Sequence, residues 1–417
     1  MFKRSKQAVA CSLALFAAGA AQAGAGTASP ALNAEVIHWW TSGGESAAVK
    51  QLAGAYRAAG GNWIDTAIAG GDQARAVTLN RMVGGKAPAA AQFNISKQFL
   101  DVVEQDMLMP LDDIAKQQNW DQTLPEPIVK AIRVEGHYYA LPLDIHMQTW
   151  IWYSKAAFKK AGIAKEPATM DELFAALDKL KAAGLIPLAH GGQAWQENVL
   201  FAGILANVGG KQLYLQVMRD RDQKAINSDA MRKVLLAYKR MQSYVDANAP
   251  GRNWNDATAL LVSGKAGVQI MGDWAKGEFT AAKQLPGQDY GCIAGLGPDV
   301  PYLIQGDAFV FPKTDRADVQ QAQKLMAKTL VAPATQISFN KLKGSLPPRI
   351  DTDTSSLDVC SQAGAAIMRG KARLAGAPEV YLTPDQNGAL QDALTAYWNT
   401  SMPVDKAQKA LAAALRN

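Results

Sequence analysis

Seven residues, Trp39-Trp40-Thr41-Ser42-Gly43-Gly44-Glu45, join an apolar strand pattern to an amphipathic helix pattern, and no other stretch constrains the fold as much. Ahead of them, Glu35-Val36-Ile37-His38 reads as a short strand. Behind them, Val49, Leu52, Ala53 and Tyr56 fall at i, i+3, i+4 and i+7, the spacing of one helix face. A strand that turns straight into a helix opens an α/β unit, and such turns lie at the carboxyl ends of strands, where these folds bind ligands. The two glycines permit a sharp turn and a close backbone approach to a ligand. Adjacent strand residues face opposite sides, so the core needs at most one of the two tryptophans. The other is free to offer a flat apolar face.

The same alternation continues downstream. Trp63 to Ile68 is predicted as a second strand, ending at Gly70-Gly71. A helix with Ala76, Leu79, Met82 and Val83 on its apolar face follows and stops at Gly84-Gly85. Ala89 to Ile95 is a third strand and feeds Ser96-Lys97-Gln98. Strand and helix in turn, with short connections, predict a parallel sheet covered by helices. The β-prone run from Tyr138 to Tyr153 is too long for one strand and has the look of a passage between lobes. Thr169 and Glu172 have capping-box spacing and open a helix along Leu173, Leu177 and Leu180, ended by Gly184. The pattern is mainly helical to about residue 290, apart from a strand at Ala266 to Met271 before Gly272-Asp273-Trp274. Strand character returns over Pro301 to Phe311, a helix follows from Ala317 to Val331, Lys341 to Pro347 reads as a loop, and helices dominate the rest. Two α/β lobes, with the chain crossing near 145, 304 and 345, account for this order.

The N-terminus stands apart. Lys3, Arg4 and Lys6 precede an apolar run from Ala8 to Ala20 and an A-x-A site at Ala21-Gln22-Ala23, so residues 1–23 read as a secretory signal peptide. The run is shorter than the roughly 20 residues needed to span a bilayer. Cys11 lies inside it without the upstream leucine of a lipoprotein site. The segment carries three of the 43 Lys and Arg residues and none of the 37 Asp and Glu, which leaves a mature charge of +3. Basic residues are scattered, giving no nucleic-acid footprint. Cys292 and Cys360 remain, and an even pair in an exported protein suggests a disulfide, with two buried thiols as the alternative.

No nucleophile elbow, zinc-binding H-E-x-x-H or reactive cysteine is present, so no catalytic residue, metal site or cofactor is assigned. The glycine pairs lack dinucleotide and P-loop spacing. What recurs is an aromatic or charged residue beside glycine at predicted strand ends. Trp39-Trp40 with Glu45, Lys97, Asp144 and His146, Trp195, Trp274, Asp307 and Lys343 are the cases. Tryptophan faces stack on the C–H face of a pyranose, while charged side chains take its hydroxyls in charge-assisted bonds.

These residues carry a family resemblance. WWTSGGE at 39–45, LPLDIHMQTWIWYSK at 141–155, GKAGVQIMGDWAKGEF at 264–279, QGDAFVFPK at 305–313 and KLKGSLPPR at 341–349 resemble extracellular solute-binding proteins that feed ABC-type sugar importers. The likeness is strongest to the glucose/mannose-binding group of the periplasm. It implies a type II periplasmic-binding-protein fold, two α/β lobes joined by a three-crossing hinge. Expected segments are 24–143 and 305–345 for the N-lobe, and 144–304 and 346–417 for the C-lobe. It also implies sugar contacts at Trp39, Trp40, Glu45, Lys97, His146, Trp195, Trp274, Asp307 and Lys343. Expected partners are glucose or a related hexose and the permease subunits of an inner-membrane importer, with the protein a periplasmic monomer. A departure is the lack of any histidine after His190, where glucose-binding members use one near the C-terminus. The competing reading is a secreted glycoside hydrolase, with Glu45 and Asp144 or Asp307 as its carboxylate pair. Lysines beside these acids argue against it, because a nearby cation lowers the pKa that a general acid needs raised.

Overall fold

The computed structural model describes residues 32–416, so the predicted signal peptide and Cys11 lie outside the described residues. Strand Leu32–His38 runs parallel to Gly61–Ala67 on one side and to Ala90–Asn94 on the other. Asp307–Val310 then pairs antiparallel with Ala90–Asn94, and Ala140–Pro142 pairs antiparallel with Asp307–Val310 to close a five-stranded sheet. Helix Gly43–Ala58 connects the first two strands and buries Ala48, Val49, Leu52, Ala53 and Tyr56, the face that the periodicity predicted. The next helix, Gly71–Val83, turns differently. It buries Ala74, Thr78 and Met82, while Leu79 and Val83 are exposed, Val83 by 76%. Its apolar side chains had pointed to the wrong face because several of them never enter the core.

A second sheet of four strands has the order Tyr290–Ile293, Trp150–Ser154, Ala266–Met271, Ile186–Leu188. Around it pack the predicted helix Met170–Ala182, which buries Leu173, Leu177 and Leu180, and a group formed by Ala194–Met218, Asp229–Gln242, Pro384–Asn399 and Val404–Ala414. Thr169 caps Met170–Ala182 by accepting from the Glu172 N–H at 3.2 Å, and Glu172 reaches back to the Ala168 N–H at 2.6 Å. Each fully buried Leu contributes about 1.5–3 kcal/mol of transfer free energy.

Between the two large sheets lies a small one, Leu374–Gly376, Tyr302–Gln305 and His146–Met147. The run from 138 to 153 is divided there. Ala140–Pro142 belongs to the first sheet, His146–Met147 to the small sheet and Trp150–Ser154 to the second. Ile145 forms an isolated bridge with Leu346. The fold is the two-lobed α/β arrangement with a three-crossing hinge. The stretch 341–347 is not wholly a loop: helix Pro333–Lys343 runs through its first three residues and ends at Gly344, φ +98°. Cys292, on the edge strand of the second sheet, is bonded to Cys360 in helix Val359–Gly370, with S–S 2.02 Å and Cα atoms 6.1 Å apart. No helix among the described residues is long and apolar enough to cross a membrane.

Candidate functional site

Where the hinge meets both lobes, a buried network gathers four carboxylates and two cations. Its members are Glu45, Asp144, Asp273, Asp307, His146 and Lys343. His146 is the meeting point. Its Nδ1 lies 2.5 Å from Asp273 Oδ1, and its Nε2 lies 3.2 Å from Asp307 Oδ2 and 3.4 Å from Asp144 Oδ1. With carboxylates at both nitrogens, both act as donors and the ring is an imidazolium. Burial opposes that charge, but Asp144, and with it Asp273, lifts the His146 pKa to about 10.

Asp307 stands where Asp307–Val310 leaves the hinge. Its Oδ2 accepts the Trp40 indole N–H at 3.1 Å and lies 3.7 Å from Lys343 Nζ. Burial alone would raise its pKa, yet the His146 bond and the Lys343 charge hold it well below the usual range. Its neighbour Asp144 accepts the Asp307 backbone N–H at 2.6 Å. Burial pushes Asp144 the other way, upward, so the two adjacent carboxyls divide into one firmly ionised and one readily protonated. Lys343 also approaches Glu45, at 3.4 Å. Burial works against both charges: it raises the Glu45 pKa, while Glu45 and Asp307 together keep Lys343 raised.

Atoms of Asp144, His146 and Asp307 converge within 4.8 Å, close enough to surround a metal ion. Both His146 nitrogens already serve carboxylates, and Lys343 and the Trp40 N–H attend Asp307. A metal would have to displace protons and an ammonium group that are already in place. The arrangement is an ion network, not a metal centre.

Aromatic rings adjoin the network. Trp274 meets His146 edge to face, centroids 5.0 Å apart, and Trp195 lies 6.2 Å from Trp274. Both rings are half-buried. A Cβ on Gly272 would fall 2.1 Å from the Trp274 ring, so the glycine is what lets that indole fold back over its own turn.

Of the residues singled out from sequence, the structure joins Trp40, Glu45, Asp144, His146, Trp274, Asp307 and Lys343 in one cluster, with Trp195 against it. Trp40 is fully buried, its ring packed beside Phe309 and Phe339 and its indole N–H given to Asp307. Trp39 stands outside the ion pairs, half-buried, with the Arg75 guanidinium 5.8 Å from its ring centre and its backbone N–H on Gln92. Lys97 begins a 3-10 turn, Lys97–Phe99, and is half-buried; burial, with Arg221 nearby, lowers its pKa.

Sequence reasoning passed over Asp273 and Glu278. In the Gly272-Asp273-Trp274 turn only Trp274 is singled out from sequence, and Asp273 is left unassigned. Here it binds His146 and accepts the Met147 N–H at 3.0 Å. Glu278 accepts the Gly44 N–H at 2.9 Å, capping the first helix of one lobe from the other. The glycines of the WWTSGGE turn also have a different use from the one expected. Neither has a positive φ, and Gly44 approaches the backbone of Gly277, with 2.5 Å left for a Cβ, rather than a ligand.

Residues 40–336 match the family model described as bacterial extracellular solute-binding protein. A probable sugar-binding periplasmic protein of Rhizobium meliloti is 40% identical over 334 residues, 80% of each chain. One of the same description from Brucella suis is 37% identical over 390 residues, 92% of each. Among solved structures, an ABC transporter solute-binding protein from Thermotoga lettingae bound with α-D-tagatose superposes with a TM-score of 0.76 at 18% identity, covering 92% of this chain and 98% of that one. A chitin oligosaccharide binding protein gives 0.75 at 19% identity, covering 92% and 99%. At these identities the structural matches speak for the fold.

Proposed function

Since the chain belongs to the bacterial extracellular solute-binding family, with relatives named as sugar-binding proteins, we propose that it is a periplasmic receptor that closes two lobes on a sugar and presents it to an ABC importer. The proposed ligand is glucose or a related hexose, and the proposed contacts are Trp39, Trp40, Glu45, Lys97, His146, Trp195, Trp274, Asp307 and Lys343. The lobes are taken as 24–143 with 305–345, and 144–304 with 346–417, after a signal peptide at 1–23.

One observation carries the reading. His146, on the hinge, is held by Asp307 from the strand of the first sheet and by Asp273 from the turn after the second sheet's Ala266–Met271, with half-buried indoles alongside. Charged groups of both lobes therefore meet beside aromatic faces, the chemistry that suits sugar hydroxyls and C–H faces. A ligand touching both lobes favours the closed form only by its difference in affinity for the two forms, and a few kcal/mol suffices to shift the population. Relatives named as sugar-binding periplasmic proteins agree with this.

Calorimetric titration against mono- and disaccharides, with small-angle scattering of the same samples, is the test. Micromolar binding of a hexose and a smaller radius of gyration at saturation are expected. Binding without any change in scattering would overturn two-lobe closure. Turnover of aryl glycosides would restore the hydrolase reading.

A further inference from the structure

Beside the ion network, on the same hinge sheet, lies a second polar cluster built on Glu379. Gln305 is the register partner of His146, and Gln148 follows two residues after it. Gln148 Nε2 lies 2.6 Å from Gln305 Oε1 and 3.3 Å from Glu379 Oε2. From helix Ala194–Met218, three residues beyond Trp195, Asn198 Nδ2 lies 3.4 Å from the other oxygen of Glu379 and 3.2 Å from Asn387 Oδ1. Gln148, Asn198 and Gln305 are 3%, 1% and 4% exposed. Glu379 is crowded by protein yet keeps part of its surface open.

An ionised carboxylate only accepts hydrogen bonds, so it fixes both amides with their NH2 ends inward. Turning either amide over would set a carbonyl against the carboxylate. In the fixed orientation Gln148 Oε1 and Asn198 Oδ1 are left buried with no partner, and so is the Gln305 NH2. Unpartnered buried polar groups each cost on the order of 1–3 kcal/mol, so such a cluster awaits a complement. Among the described residues no Lys or Arg forms an ion pair with Glu379. Lys97 is on the turn that packs against helix Pro378–Tyr381 but makes no ion pair with it. The unmet demand is for one positive charge and at least two donors, against a single spare donor of the protein's own. A neutral hydroxyl brings one donor and no charge. A protonated amine brings three donors, a positive charge and no acceptor.

We propose that Glu379, Gln148 and Asn198 form an ammonium-recognising subsite, so that the preferred ligand class is an amino sugar. This rests on the sugar-receptor reading and names its substrate class. Burial raises the Glu379 pKa in the isolated protein, and a bound cation would lower it again.

The test is calorimetric titration of the full mature protein with D-glucosamine, D-glucose and N-acetyl-D-glucosamine, at a pH where the free amine is protonated. Glucosamine should bind at least tenfold more tightly than glucose, and acetylation, which removes the charge, should abolish that advantage. In Glu379→Gln the preference should fall to within twofold while glucose binding persists. Glucose binding as well as or better than glucosamine would overturn the subsite and leave the receptor intact. Binding of none of the three, nor of any other saccharide, by folded protein would overturn the receptor reading and the subsite with it. The comparison of sugars on the unaltered protein stands even where the variant fails to fold.

Discussion

A methyl group added to Gly44 would lie 2.5 Å from the carbonyl carbon of Gly277. The two glycines thus set the closest approach of helix Gly43–Ala58, in the lobe of the first sheet, to helix Ala275–Ala281, in the lobe of the second. Glu278 holds that approach by capping Gly44.

Gly44→Ala should therefore fold normally and close incompletely. Ligand affinity should fall about tenfold or more, equivalent to roughly 1.4 kcal/mol. Scattering at saturating ligand should give a radius of gyration nearer that of the ligand-free protein. Unaltered affinity would show that the contact plays no part in the ligand-bound form.

Asp307→Ala removes the acceptor shared by Trp40 and His146 and leaves the Lys343 ammonium facing His146 without it. Breaking a buried ion network on one side costs on the order of 3–5 kcal/mol of stability. Loss of affinity by about 2 kcal/mol should accompany it if the carboxylate also takes a ligand hydroxyl. Denaturant unfolding and calorimetry on the same variant separate the two effects; a loss of stability with unchanged affinity would assign Asp307 a structural role alone.

Stability should decline on the alkaline side. His146 has a folded pKa raised to about 10, so its contribution is complete below the unfolded value of about 6.5 and is lost as pH rises through 10. Asp144, raised by burial, acts in the same direction at lower pH. Asp307, depressed, contributes above its unfolded value and loses that contribution only in strong acid. The unfolding free energy from urea titrations should fall by at least about 2 kcal/mol from neutral to alkaline pH. His146→Gln, less stable at neutrality, should show a flatter alkaline limb; an equally steep one would place the titration elsewhere.

Reduction of Cys292–Cys360 should cost about 4 kcal/mol by the loop-entropy model for a sequence separation of 68. Thermal unfolding with and without reductant measures it. Equal transitions would mean that packing alone holds helix Val359–Gly370 on the second sheet.

Much of this fold was legible because local patterns and tertiary demands agreed. The face of helix Gly43–Ala58, the cap at Thr169 and the divided run from 138 to 153 all followed from periodicity and turn chemistry. Helix Gly71–Val83 shows where agreement ends: its buried stripe includes Thr78 and leaves out Leu79, which only the neighbouring sheet decides. At the site, residues beside glycine at strand ends pointed to Asp307, Lys343 and Trp274. Asp273 stands beside Gly272 at a strand end and bears the same mark, but Trp274 drew the assignment; Glu278, inside a helix, and Glu379 bear none. Their roles depend on partners 127, 234 and 231 positions away, His146, Gly44 and Gln148, which no local spacing encodes.

The disulfide encloses more than a helix. Between Cys292 and Cys360 the chain leaves the second lobe, supplies Asp307–Val310 to the middle of the first sheet, lays down helices Ala317–Leu330 and Pro333–Lys343, and returns past Leu346. Every peptide bond in that excursion is bracketed by a covalent tie at its base. A protease that cuts once within it would leave a nicked but undivided molecule, with Asp307 and Lys343 still tethered to the lobe that carries Asp273.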